Sequence, residues 1–349
     1  MAAQPVITMP PPRKKLVRRA APDTSQRLRR IVQLLFFALN VWIGVEFYLF
    51  VRFYESGGTT IWAERPPGVE GWLPIAALMN LKVFVLTGAL PAVHPAGMFL
   101  LLAFTTISIV FRKAFCGWLC PVGTISEALW TAGRRIFGRN FQLPRPADLA
   151  LRSVKYILLG LFLFAVASMS AAAIQAFLGG PYGVIADVKM LNFFRYLGVA
   201  GIATLALLAP ASMLVQNFWC RYLCPYGALL GIAALASPMR IRRDPQACID
   251  CSKCAKACPA QLPVDRLVAI RSAECTACLE CVAVCPAEGA LGMSLPRKRR
   301  VRPWVIAVGV AAVFLVVVTG ARRAGYWHTD LPSSTYFDLI PHAQEFTHP

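Results

Sequence analysis

Cys248, Cys251, Cys254 and Cys258 stand in one run, CIDCSKCAKACP, and 17 residues after it closes the run restarts at Cys275, Cys278, Cys281 and Cys285 as CTACLECVAVCP. A C-x2-C-x2-C loop wraps three iron corners in one tight turn of backbone, and the cysteine before proline belongs to the partner cluster. The spacing therefore predicts two [4Fe-4S] clusters. One takes Cys248, Cys251, Cys254 and Cys285, and the other takes Cys275, Cys278, Cys281 and Cys258. Zinc is the rival ligand, but zinc sites use pairs of C-x2-C separated by a longer loop. The chemistry predicted is one-electron transfer.

A second constellation repeats with its neighbours. Residues 115–123 read FCGWLCPVG and residues 219–227 read WCRYLCPYG, 104 residues apart, each after an apolar segment. Pairing the two units would gather Cys116, Cys120, Cys220 and Cys224, four thiolates able to hold a third iron–sulfur cluster. A redox-active dithiol pair and buried cysteines that merely pack are the alternatives. All 12 cysteines fall in these motifs. Spacing this tight suits clusters, not the disulfide framework of a small secreted domain, and places the thiols in a reducing compartment.

The elements that must position these cysteines are largely membrane. Of 349 residues, 57% are hydrophobic and 15% charged, and several apolar runs approach the ~20 residues that cross a bilayer core. Spans are predicted over 31–53, 95–112, 154–178, 193–217 and 303–320. The net charge of +19 is unevenly placed: segments 1–30, 112–155 and 218–302 hold 29 of the 36 Lys and Arg. In a membrane chain this excess reads as topology rather than nucleic-acid binding, with all three segments on the cytoplasmic side.

The fold expected is an α-helical integral membrane bundle of about five transmembrane helices with an inserted cytoplasmic two-cluster (α+β) module. Residues 1–30 form a disordered basic cytoplasmic arm with no secretory signal. Residues 31–243 form the bundle, 244–295 the tandem-cluster domain, 296–320 the last span and 321–349 a periplasmic tail. Segment 72–90 is long enough to span, but that would split the basic segments between two sides. It carries Pro74, Asn80 and Lys82, and is expected to lie on the periplasmic face. Residues 226–237 are too short to span and read as an interfacial helix.

Few titratable groups lie near the membrane. Glu46 sits toward the outer end of the first span and His94 precedes Pro95; both are candidates for quinone or proton handling. The bland alternatives are a Glu46 that pairs with a cation such as Lys82, and a surface or capping His94. His328, His342 and His348 read as surface residues. Trp118, Trp130, Trp219 and Trp304 read as an interfacial aromatic belt.

The two C-x3-C-P motifs, the FCGWLCPVGTISE run, the LPIAAL segment before VHPAG and the tandem cluster motifs resemble the membrane polyferredoxins NapH and MauN and the C-terminal half of NosR. The resemblance covers roughly residues 30–295. It implies a quinol-linked electron donor to a periplasmic respiratory or maturation system, with the quinone pool or a redox subunit as partner. The chain departs from NosR in having no room for a periplasmic flavin-binding domain. It departs from shorter members in a fifth helix and the tail. The alternative function is an assembly factor supplying electrons for cofactor, metal or thiol reduction in a membrane or periplasmic reductase complex. The topology is testable: a reporter fused after Pro349 is expected to be active only as a periplasmic enzyme, and cytoplasmic activity would contradict five crossings.

Overall fold

The computed structural model describes residues 17–19, 23–296 and 299–348. The chain is mostly helical, with one two-stranded sheet. Helix α1 (Ser25–Glu55) begins where the Asp23 carboxylate accepts the Ser25 N–H at 2.9 Å. It thus starts within the segment expected to be a disordered arm. Residues 17–19 of that segment are also placed, pairing with Pro286–Glu288 beside Cys285. The remainder of the arm lies outside the described residues.

Next come α2 (Pro74–Thr87), α3 (Pro95–Val110), α4 (Pro121–Phe137) and α5 (Arg145–Ser168). Each carries proline in its first turn, where the missing N–H costs nothing. Then follow α6 (Ala171–Gly179), α7 (Pro181–Val184), α8 (Ala186–Arg195), α9 (Val199–Leu214) and α10 (Pro225–Ala233).

Among the described residues three helices, α1, α5 and α13 (Pro303–Arg323), are long and apolar enough to cross a membrane, or four if α8 and α9 count as one broken span. Two of the expected spans are interrupted. Segment 154–178 stops at Ser168 because Lys82 Nζ donates to the carbonyls of Val166, Ala167 and Met169 at 3.0, 2.8 and 2.5 Å; Ser170 then caps α6. Lys82 is therefore not the partner of Glu46. Segment 193–217 bends by 77° between α8 and α9. The polar α8 is pinned by Asp187 to Arg65 and by Arg195 to Glu55, each at 2.7 Å, whereas the apolar α9 is largely exposed. Helix α3 has 16 residues and α2 has 14, both shorter than the ~20 residues of an ordinary crossing.

Strands β1 (Arg240–Arg243) and β2 (Leu291–Ser294) pair antiparallel and close the tandem-cluster module at its two ends. Between them lie the short helices α11 (Lys253–Lys256) and α12 (Glu280–Ala283). One apolar core runs unbroken from Ala96 and Phe104 of α3 and Ile306 of α13 into Leu262, Ile270 and Met293 of this module. A second core lies at the far end, where α14 (Ser333–Leu339) in the tail packs Tyr336 and Ile340 against Phe47, Phe50 and Val51 of α1.

Helix α4 packs closely on α9 at Gly133. A Cβ at Gly133 would fall inside the van der Waals radius of the Met213 carbonyl, whereas one at Gly160 in α5 meets nothing within 4 Å. Gly133→Ala is expected to destabilise the detergent-solubilised protein by about 1–3 kcal/mol, read as a lowered thermal midpoint, with Gly160→Ala near neutral.

Candidate functional site

The two C-x3-C-P motifs fold alike. Phe115–Leu119 and Trp219–Leu223 each form one π-helical turn, closed by Cys120 N–H to Phe115 O at 2.9 Å and Cys224 N–H to Trp219 O at 3.0 Å. Single π turns inside helical chains occur frequently at functional sites. Proline in the first turn of α4 and of α10 then turns the chain away. The structure brings the four cysteines of the two turns, each partly buried, into one electrostatic neighbourhood. Burial pushes the Cys116 thiol up to about 11, though nearby Lys113 pulls the other way. Burial, then Cys224 and Cys116, push Cys220 up to about 12.

The tandem motifs also repeat in backbone shape. Asp250 and Ser252 flank Cys251 with φ of 55° each, and Ala277 and Leu279 flank Cys278 with φ of 52° and 60°. Non-glycine residues seldom adopt positive φ, and alternation with right-handed neighbours turns successive N–H groups inward as a nest for an anionic group, iron–sulfur clusters included. Cys281 has Cys278, Cys258, Cys275 and Cys254 as electrostatic neighbours, and Cys285 has Cys248 and Cys251. Among the described residues no three His, Cys, Asp or Glu side chains converge on one metal-ion position; a cubane takes its thiolates at separate iron corners.

The module docks by the face that carries Cys258, Cys275 and Cys278. Trp118, fully buried between Cys116 and Cys120, donates Nε1–H to Ala277 O at 2.9 Å. Gln26 donates to Cys278 O at 2.9 Å. Arg29, at 1% exposure, bridges Glu127 of α4 and Glu280 of α12 at 2.7 and 2.8 Å. Arg112 holds Ile270 O and Ser272 O, and Lys155 pairs with Glu274 at 2.6 Å. Cys251 is exposed on the module.

Trp118 and Trp130, at 0% and 5% exposure, are therefore interior residues and not part of a lipid-facing belt; Trp304, at 53%, fits that role. The docking residues Arg29, Arg112, Lys155 and Glu274 were not among the sequence candidates; Arg112 and Glu274 stand within four residues of Cys116 and Cys275, whereas Arg29 and Lys155 are far from any cysteine in sequence.

A cavity of about 810 Å³ is lined by Cys116, Cys120, Cys220 and Cys224, with Cys258, Cys275, Cys278 and Cys281, and extends past Phe36 and Asn40 to Trp42, Glu46 and Trp72. From Phe36 to Glu46 is ten residues of α1, roughly 15 Å along the axis. Glu46 is partly buried and has no hydrogen-bond partner among the described residues. His94 is not a lining residue. It is 1% exposed, with Nδ1 at 3.1 Å from Arg65 Nη2 and Nε2 at 2.8 Å from Gly183 O. His328 and His342 are exposed beside Glu64 and Glu345.

Comparison with known proteins decides the family. Residues 93–140 and 197–243 each match the same 4Fe-4S binding domain, and 240–286 match a 4Fe-4S dicluster domain. YccM of Escherichia coli (strain K12), named as an electron transport protein, is 46% identical over 92% of this chain and 91% of its own length. The chain belongs to the family of membrane 4Fe-4S polyferredoxins. The regulatory protein NosR of Pseudomonas aeruginosa is 34% identical over 47% of this chain and 23% of its own. The ferredoxin-type protein NapH of Escherichia coli (strain K12) is 25% identical over 66% of this chain and 74% of its own. No solved structure matches the chain. The polyferredoxin thus carries one domain type twice, as the repeated motif and its repeated π turn indicate.

At the polyferredoxin's far end, Glu70 is fully buried and ties the tail to the bundle. Its carboxylate accepts from Arg65 at 2.7 Å, from Thr329 Oγ1 at 2.9 Å and from Gly97 N–H at 2.9 Å. Burial alone would raise its pKa, but Arg65 and His94 outweigh it and hold it near about 2. A carboxylate depressed in this way stabilises the fold fully above its ordinary value and progressively less as pH falls through the depressed one. Protection factors of residues 327–343, with intrinsic exchange rates divided out, are expected to hold at pH 5 and to fall toward pH 2 as the tail loosens; a fall already between pH 7 and 5 would contradict this anchor.

Proposed function

We propose that this polyferredoxin is a membrane electron carrier linking a quinone to a respiratory or periplasmic redox system. The observation that carries the reading is the single cavity shared by the cysteines of the two π turns, those of the docked cluster loop, and Glu46. The order of seats is distal (Cys248, Cys251, Cys254, Cys285), proximal (Cys275, Cys278, Cys281, Cys258) and membrane (Cys116, Cys120, Cys220, Cys224). The donor sets fit. Each seat offers four thiols, two seats have nest-shaped backbone, and the third has two matching π turns. Clusters bound there would supply one-electron carriers whose potentials follow burial and hydrogen bonding.

The chain's own residues fix the spacing. Arg29, Gln26 and Trp118 hold the proximal loop on the π turns, and Arg112 and Arg221 brace its flanks. The apolar stretch of cavity suits a prenylated quinone, and a quinol oxidised there loses two electrons and two protons. Glu46 is placed to take up a proton at its carboxylate, and the exposed edge at Cys251 suits exchange with a second protein. In the membrane, α1, α5 and α13 cross fully, and α3 with α9 supply the two shorter crossings beside them. The basic segments then fall with the cysteines on the cytoplasmic side and the tail on the other.

Anaerobically purified protein is expected to contain about 12 irons, and Cys116→Ala or Cys220→Ala to lower this to about 8. A wild-type value near 8 would remove the membrane seat, and a value clearly below 8 would sink the tandem seats too.

A further inference from the structure

Beside the four thiols of the π turns lies a buried lysine, Lys113. Lys113 is 3% exposed, and among the described residues it has no ion pair or hydrogen bond from its side chain. Its neighbour Lys155 differs in being satisfied, since Glu274 takes Lys155 at 2.6 Å and Tyr156 at 2.9 Å. Lys113 lies instead along a groove in α10 made by Gly227 and Gly231, whose absent Cβ atoms would lie 3.7 and 3.5 Å from its Nζ. The same absent Cβ of Gly227 would lie 3.5 Å from Cys224 Sγ. The ammonium and the thiol therefore flank one gap that a glycine keeps open. Glu274 lies within electrostatic range of this ammonium, and so do Cys116, Cys220 and Cys224; negative charge on those thiols adds to the carboxylate in offsetting the cost of burying it.

We propose that Lys113 is the positioning cation of the membrane seat, set to offset the negative charge of an iron–sulfur cluster on Cys116, Cys120, Cys220 and Cys224 and to favour its reduced form. The proposal rests on the reading that these thiols hold a third cluster. A cubane with four thiolates is anionic when oxidised and gains a further negative charge with each electron, so a fixed neighbouring cation stabilises the reduced state more. The energetic consequence is directional. Electrons arriving from the cavity would meet a seat with a raised potential, which favours transfer out of the quinol.

The test is an anaerobic redox titration of the full-length protein in detergent, followed by electron spin resonance, for wild type, Lys113→Met and Lys113→Arg. In Lys113→Met the oxidised-to-reduced ratio of the third cluster at fixed potential is expected to rise at least tenfold, a midpoint about 59 mV lower for one electron. Lys113→Arg is expected to stay close to wild type, and the tandem clusters to keep their midpoints. Loss of the third cluster in Lys113→Met alone, with retention in Lys113→Arg, would also support a charge requirement. An unchanged midpoint in Lys113→Met, or loss of the cluster in both variants, would overturn the assignment. A wild-type protein with only two clusters would instead remove the reading beneath it, and iron content tells the two failures apart.

Discussion

Arg29 is the interaction on which the rest depends. Its guanidinium joins three parts of the chain that are far apart in sequence: α1, Glu127 behind the first π turn, and Glu280 between Cys278 and Cys281. Removing one partner of a buried ion pair costs about 3–5 kcal/mol, because the others are left charged and unpaired. Here the loss would be positional as well as energetic. Electron passage between cofactors needs fixed spacing, and Arg29 acts with Trp118 and Gln26 to seat the cluster module on the membrane motif.

The chain carries a duplicated 4Fe-4S binding unit followed by a dicluster unit. Each copy delivers a C-x3-C-P turn to the same end of the bundle, and each uses a π turn followed by proline to aim two thiols inward. Helix α1 runs from this end to the other and lines the cavity throughout. The far end is closed by a buried cluster of Arg65, Glu70, His94 and Asp187 with the folded tail over it. The tail is thus a packed part of the structure, which a polar, histidine-containing terminal segment does not announce.

Much of the site was legible in the sequence because it is local. Cysteine spacing specified the tandem motifs, and the repeated aromatic and proline neighbours of Cys116 and Cys220 exposed the duplication. What the sequence hid is nonlocal. Lys82 reads as a charge inside an apolar segment, yet it ends α5 by taking three carbonyls. Trp118 reads as a belt residue from its position, yet its indole is spent on Ala277. Apolar runs matched long, apolar helices at α1 and α13. They failed where anchored polar residues bend the chain, as between α8 and α9. Glu46 lines the cavity and has no hydrogen-bond partner among the described residues, whereas His94 is held between Arg65 and Gly183 O.

The central claim is that three cluster seats lie in a single line and communicate. Pulsed electron spin resonance on the fully reduced, anaerobic protein tests it most directly. The account predicts magnetic coupling between the proximal cluster and a third centre, abolished in Cys220→Ala while the coupling within the tandem pair persists. A spectrum showing only the tandem pair, unchanged by that substitution, would contradict it.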